Sequence, residues 1–394
     1  MDDLANVLDI PAHNDEVRAV WDAYHARQPI RVPMILGINP RYLLLEPAAN
    51  TLGYDFETYS ESPEAMFRAQ LEFQRWVRHN LLQDAEMGIP DAWTVYVDFQ
   101  NYYEAAWFGC PVAYRDGQVP DAVPIHADHP ESVMDRGIPD PFSGIMARAL
   151  EYHGAMAELA QRQTYLDRPI TAARPSTGLG TDGPMTVACN LFGAGFVCET
   201  LAGDPARMGR LLDFITEATL TRVEAWKRRF DMAFPHDGYG IADDSIALLS
   251  PRSYREHILP LHRRLFDRFG TEHGRSIHLC GDATRHFRVI RDELKVSTFD
   301  TGYPVDFGSL RQQLGPDVQL FGGPSAPFLV SADPAGVRDA TIGVLRSGVM
   351  QGGRFVLREG NNLAPGTSRE NVAAMYETVR THGRYEGGGQ PCMS

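Results

Sequence analysis

The pair His278 and Cys280 carries the most specific chemistry in the chain. They lie two residues apart in a short apolar run, Ser276-Ile277-His278-Leu279-Cys280, that breaks at Gly281. On a β-strand that spacing sends both side chains from one face. An imidazole and a thiolate on one face, at the carboxyl end of a strand, can chelate zinc or another borderline metal. The plainer alternative is a small buried cysteine beside a hydrogen-bonded core histidine. Further polar residues follow other apolar runs. Asp98 closes Trp93 to Phe99, with Tyr102, Tyr103 and Glu104 beyond it, and Asp243 and Asp244 follow Tyr239. Asp300 follows Val296 to Phe299, and Glu359, Asn361 and Asn362 follow Arg354 to Arg358. Carboxylates, a histidine and a thiol that converge suit metal-assisted or acid–base chemistry. Singly, an aspartate at a strand end is equally a cap for the next helix.

The elements that must position these residues follow from periodicity and punctuation. Residues 1–30 predict an N-terminal helical segment centred on Val17 to Tyr24. Strands are expected at 31–38, 93–99, 185–191, 239–243, 276–280, 296–299, 318–321 and 354–358. Helices are expected between them. Asp204-Pro205 and Asp333-Pro334 each place a capping carboxylate before a proline at the first helical position. Ser368 opens the last helix. Eight strands alternating with helices predict an α/β fold, a (β/α)8 TIM barrel, over 31–385. Polar excursions are expected at 39–62 and 100–141, and a flexible tail at 386–394. A doubly wound open sheet would want a glycine-rich loop after the first strand, and Ile38-Asn39-Pro40-Arg41 does not supply one.

Composition excludes several functions. The formal net charge of −14 argues against nucleic acid or an anionic membrane as partner. Five scattered cysteines predict no disulfide framework. No apolar run approaches the roughly 20 residues of a membrane span. The acidic start lacks a signal peptide's apolar core, so a cytoplasmic enzyme is expected.

The chain resembles the uroporphyrinogen decarboxylase superfamily. The motifs that carry the resemblance are Gly183-Pro-Met-Thr-Val followed by Gly203-Asp-Pro; the run from Leu249 to Pro260; His278-Leu-Cys-Gly281; Leu320-Phe-Gly-Gly323; and Gly360-Asn-Asn-Leu-Ala-Pro365 with Arg369-Glu-Asn371. The resemblance implies a (β/α)8 barrel and one of two chemistries. In the methyltransferase branch a His-X-Cys pair and a later cysteine bind zinc; His278 and Cys280 match the pair, and Asn361 stands where the later cysteine would fall. Glu359 or a strand-end aspartate such as Asp244 is then the expected substitute ligand. In the decarboxylase branch an early arginine segment clamps carboxylates, an early aspartate grips the substrate, and a histidine follows the last strand. Here those places hold Arg41, Asp98 and Asn361.

The expected function is therefore a methyltransferase that moves a methyl group between a small molecule and a corrinoid protein or thiol, assisted by zinc. The alternatives are a decarboxylase of a porphyrinogen or other polycarboxylate, and a non-catalytic binding relative. His278, Cys280 and Glu359 are the expected metal ligands. Asp98, Asp244 and Asn361 are the expected catalytic groups, and Arg41, Tyr102, Tyr103, Asp300 and Asn362 the expected substrate contacts. A small substrate, a corrinoid protein and a second copy of the chain are the partners this reading allows.

Overall fold

The computed structural model describes residues 8–386 and 390–391. Five parallel strands form one sheet, and all five lie next to their neighbours in chain order: Gly240–Ala242, Ser276–Leu279, Thr298–Thr301, Gln319–Gly322 and Phe355–Leu357. A second sheet pairs Trp93–Val95 in parallel with Arg168–Ala172. In chain order these strands are β1 (93–95), β2 (168–172), β3 (240–242), β4 (276–279), β5 (298–301), β6 (319–322) and β7 (355–357). Helices link them, among them Leu259–Phe269 before β4, Thr284–Leu294 between β4 and β5, and Pro334–Val344 before β7. The architecture is α/β, with parallel sheets and covering helices.

Strand alternation decides which residues reach the site. In β4, β5 and β6 every second residue is buried under the helices: Ile277 and Leu279, Phe299 and Thr301, Leu320 and Gly322. Phe287 of the helix 284–294 stacks on Phe299 with ring centroids 4.8 Å apart, which fixes that side as the helix side. The other parity carries His278 and Asp300. The β4–β5 register sets these two directly opposite one another.

The expected first strand, 31–38, is an extended segment rather than a ladder. Met34 bridges Leu357 in parallel, Ile35 donates its N–H to Leu357 (3.0 Å) and Leu357 donates to Pro33 (2.8 Å). It ends in a short helix, Pro40–Leu45, whose N-cap Asn39 accepts from the Arg41 N–H at 3.0 Å. The expected third strand, 185–191, is a helix, Pro184–Phe192. Pro184 opens it, Gly183 precedes it at φ 79°, and the Asp243 carboxylate accepts from the N–H groups of Met185 (3.2 Å) and Thr186 (2.8 Å). Its largely apolar run, interrupted only by Thr186 and Asn190, reflects burial on nearly every side, not a strand. The strand in that part of the chain is β2, Arg-Pro-Ile-Thr-Ala.

The expected caps form: Asp204 accepts from the Arg207 N–H at 3.0 Å and Ser368 from the Asn371 N–H at 3.1 Å. The N-terminal helix is Ile10–His25. Of the expected tail, residues 387–389 and 392–394 lie outside the described residues, and Gln390–Pro391 pairs antiparallel with Tyr385–Glu386. Among the described residues no single helix is long and apolar enough to cross a membrane.

Candidate metal centre and cavity

Beyond the carboxyl ends of the strands lies a cavity of about 590 Å³, lined among others by Arg41, Asp182, Asp244, His278, Cys280 and Asn361. His278 is held there by its strand partner: Nδ1 lies 2.7 Å from Asp300 Oδ2. Arg358 Nη1 donates to the same oxygen at 2.8 Å. The carboxylate therefore accepts a hydrogen bond from Nδ1–H, and the Nε2 lone pair faces away from Asp300. Nε2 stands 3.1 Å from Cys280 Sγ and 4.0 Å from Asp244 Oδ1. Asp244 also accepts the Cys280 backbone N–H at 2.7 Å, so one carboxylate fixes the turn that presents the thiol. The ligand atoms of Asp244, His278 and Cys280 all fall within 4.8 Å of one another.

The charge pattern is acidic around the thiol. Burial pushes the Cys280 thiol well up, and the neighbouring Asp244 and Asp300 charges push it further, so without a cation it keeps its proton. For His278 burial acts downward, but the hydrogen bond and charge of Asp300, with the charge of Asp244, outweigh it and raise the imidazole.

Asn361 belongs to this centre. Its Oδ1 accepts the Cys280 thiol at 3.1 Å, and its carbonyl accepts from Arg358 Nη2. It sits at φ 80°, a left-handed backbone that asparagine tolerates better than most residues. Asn362 also lines the cavity, and so does Arg41, held by Gln100 Oε1 (2.5 Å) and Asn101 Oδ1 (2.7 Å).

Four expected site residues stand elsewhere. Glu359 is fully buried on the opposite strand parity from Arg358, where Oε1 accepts the Gly37 N–H at 2.7 Å. Burial pushes it up to about 7, against the pull of Arg358, and it is not part of the ligand cluster. Asp98 accepts from Tyr59 (3.0 Å) and from the Gln100 side chain (2.6 Å), and burial raises it above the usual carboxylate range. It reaches the cavity only through Gln100 and Arg41. Tyr102 is buried with its hydroxyl 3.3 Å from that of Tyr114. Tyr103 is buried under the Arg222 guanidinium, 5.5 Å from the ring centroid. Neither tyrosine lines the cavity.

Sequence reasoning missed Arg358 and Asp182. Asp182 lines the cavity, and its Oδ2 is shut off from solvent with no hydrogen-bond donor. Burial first, then the charges of Glu104, Asp244 and Asp243, raises it above the usual carboxylate range. Its signal was present in Thr181-Asp182-Gly183-Pro184, a turn leading into a proline-started helix.

The Cys280 turn is closely packed from behind. A Cβ on Gly302 would lie 2.4 Å from the Gly281 nitrogen and 2.7 Å from the Cys280 Cα, both backbone atoms that cannot swing aside. Gly302→Ala is expected to cost about 1–3 kcal/mol and to displace Cys280. Thermal melting and zinc uptake check this. Gly343→Ala, with nothing within 4 Å of the added Cβ, is the control.

The family profile for uroporphyrinogen decarboxylase (URO-D) matches residues 18–382. The chain belongs to that family. A curated relative, the methylated-thiol–coenzyme M methyltransferase of Methanosarcina mazei, is 26% identical over 194 residues, 48% of this chain and 49% of that protein. The match thus spans about half the length of the curated relative. A solved structure titled methyltransferase from Methanosarcina mazei superposes with a TM-score of 0.61 at 18% identity, covering 92% of this chain and 98% of that one. This likeness shows a shared fold.

Proposed function

We propose that the chain is a methyl-transfer enzyme of the URO-D family in which Asp244, His278 and Cys280 hold a zinc ion at the edge of the cavity. The observation that carries this reading is the convergence of those three ligand atoms. Zinc bonds of about 2.0–2.3 Å in a tetrahedron separate neighbouring ligand atoms by about 3.5 Å. The observed separations of 3.1 and 4.0 Å straddle that value and close onto it with small side-chain movements. One thiolate, one imidazole and one carboxylate leave a position open toward the cavity, as catalytic zinc sites do. The comparisons support the same branch through the methyltransferase relative.

When bound, zinc would keep a substrate thiol as thiolate near neutral pH and so as a nucleophile. The protein's own residues set up that site. Asp300 holds the Nδ1 proton of His278 and so leaves Nε2 as the ligand atom. Arg358 ties Asp300 to the Asn361 backbone, linking β5 to the turn after β7. Cys280 must release its proton to solvent on metal uptake; before that Asn361 Oδ1 accepts the thiol S–H at 3.1 Å, with His278 Nε2 equally near. The resemblance supports a corrinoid protein or a free thiol as the second methyl carrier. We further read the two sheets as arcs of one (β/α)8 barrel: the segment 33–35 beside β7 counts as the first strand, and β1 to β7 complete eight. The decarboxylase reading needs Asp98 in the cavity, and its oxygens are instead engaged by Tyr59 and Gln100.

The test uses a generic methyl donor. Zinc-loaded protein is expected to speed methylation of 2-mercaptoethanol by methyl iodide at pH 7 by about tenfold or more over Cys280→Ser. Equal rates would reject the proposal.

A further inference from the structure

We infer that the cavity beside the metal centre is built for a zwitterion, with an ammonium group at Asp182 and a carboxylate at Arg41. The inference rests on the proposed function only for the fate of the methyl group; the binding claim stands by itself.

A guanidinium and a carboxyl group line the same cavity, and neither has a hydrogen-bonding partner of opposite charge; the carboxyl, held up by burial, would ionise against an incoming cation. Arg41 is held by neutral amides, Gln100 Oε1 and Asn101 Oδ1. Four other arginines that are buried or near the cavity meet carboxylates, Arg31 with Asp84, Arg222 with Glu104, Arg275 with Asp267 and Arg358 with Asp300, while the buried Arg311 is met by backbone carbonyls alone. Among the described residues Arg41 has no such ion pair. Two fixed amides aim a guanidinium without neutralising it, the arrangement that receives an incoming carboxylate.

Asp182 is the complement. Its neighbours are satisfied. Glu104 accepts from Arg222, Thr181 and the Asp182 backbone N–H, and Asp243 accepts from His262, Thr186 and Met185. The Asp182 carboxyl receives no donor at all among the described residues, and its Oδ2 is closed to solvent. A carboxyl with no donor is costly to bury, and a ligand N–H⁺ at the part of Asp182 that lines the cavity would offset that cost. Leu36, Ile38 and Ala242 add apolar wall to the same cavity, fit for methyl groups.

The ligand class is therefore a small N-methylated amino acid with at least one ammonium N–H. Its charge state also suits methyl transfer. The C–N bond breaks with its electron pair passing to nitrogen, which leaves as a neutral secondary amine. The methyl carbon bonds to the sulfur of the thiolate acceptor, and no proton has to be supplied.

The experiment is calorimetric titration of the purified full chain, metal-free and zinc-loaded, with three related probes. N,N-dimethylglycine carries both charges, 3-methylbutyrate only the carboxylate, and N,N-dimethylethylamine only the ammonium. N,N-dimethylglycine is expected to bind about tenfold or more tightly than either. Asp182→Asn should reduce it to the level of 3-methylbutyrate while changing 3-methylbutyrate less than twofold. Arg41→Gln should reduce it to the level of the amine. The wild-type comparison decides the matter even if a variant misfolds. Equal or tighter binding of 3-methylbutyrate would overturn the role of Asp182, and no binding of any probe would overturn the site. Neither outcome depends on methyl transfer, so a failure of the enzymatic reading is separately visible.

Discussion

Arg222→Met is expected to cost about 3–5 kcal/mol, the penalty for stranding one member of a buried ion pair. Arg222 is fully buried on the helix Pro205–Arg229 and donates to Glu104 Oε1 at 2.5 Å, to the Gly180 carbonyl at 2.9 Å and to the Thr177 carbonyl at 3.1 Å. The rings of Tyr103 and Trp107 each lie 5.5 Å from its guanidinium. Methionine keeps the packing and removes the charge. Glu104 would then face Asp243 with only Thr181 and the Asp182 N–H as donors. Burial already raises Glu104 above the usual carboxylate range, although Arg222 opposes it. Without Arg222 it rises further. An acid whose folded-state pKa is raised binds its proton more tightly when folded. The variant's stability is therefore best below the unfolded carboxyl range and is lost as pH rises through the folded value. Urea unfolding should show a larger deficit at pH 8 than at pH 5. A deficit under about 1 kcal/mol, or one independent of pH, would contradict this account. Replacing both partners, Arg222→Met with Glu104→Leu, should recover part of the loss.

This buried pair also shows where sequence reading stops. Glu104 and Arg222 are 118 residues apart, and no local pattern joins them. His278 and Cys280 were legible because a two-residue spacing on a strand and a glycine break are local facts. Asp300 became a partner of His278 only through the β4–β5 register. At Asp98 the strand-end rule failed because Gln100, at φ 51°, turns the chain back and covers the carboxylate. Just beyond β7 two charged residues are adjacent in sequence: Arg358 faces the cavity, and Glu359 packs against Gly37. The apolar run 185–191 fits a strand or a buried helix equally, and the proline at its start was the discriminating signal. β2 was missed because Arg168 and Pro169 interrupt its apolar pattern.

The second large effect concerns the metal. Removing one of three ligands should weaken zinc binding by two orders of magnitude or more, because few donors remain to share the loss. Losing the carboxylate that orients a ligating histidine typically costs about 10–100-fold, which is the expectation for Asp300→Asn. Asn361→Cys would add a thiolate beside Cys280 and should tighten binding. Glu359→Gln should leave zinc affinity unchanged, since that side chain faces Gly37.

Zinc content per chain, measured on untagged protein after incubation with excess zinc and desalting, is the most direct test of the centre. Close to one zinc is expected in the wild type, with zinc largely lost from His278→Ala, Cys280→Ser and Asp244→Asn, each still folded. A wild type that stays zinc-free, or variants that keep the metal as well as the wild type does, would contradict it.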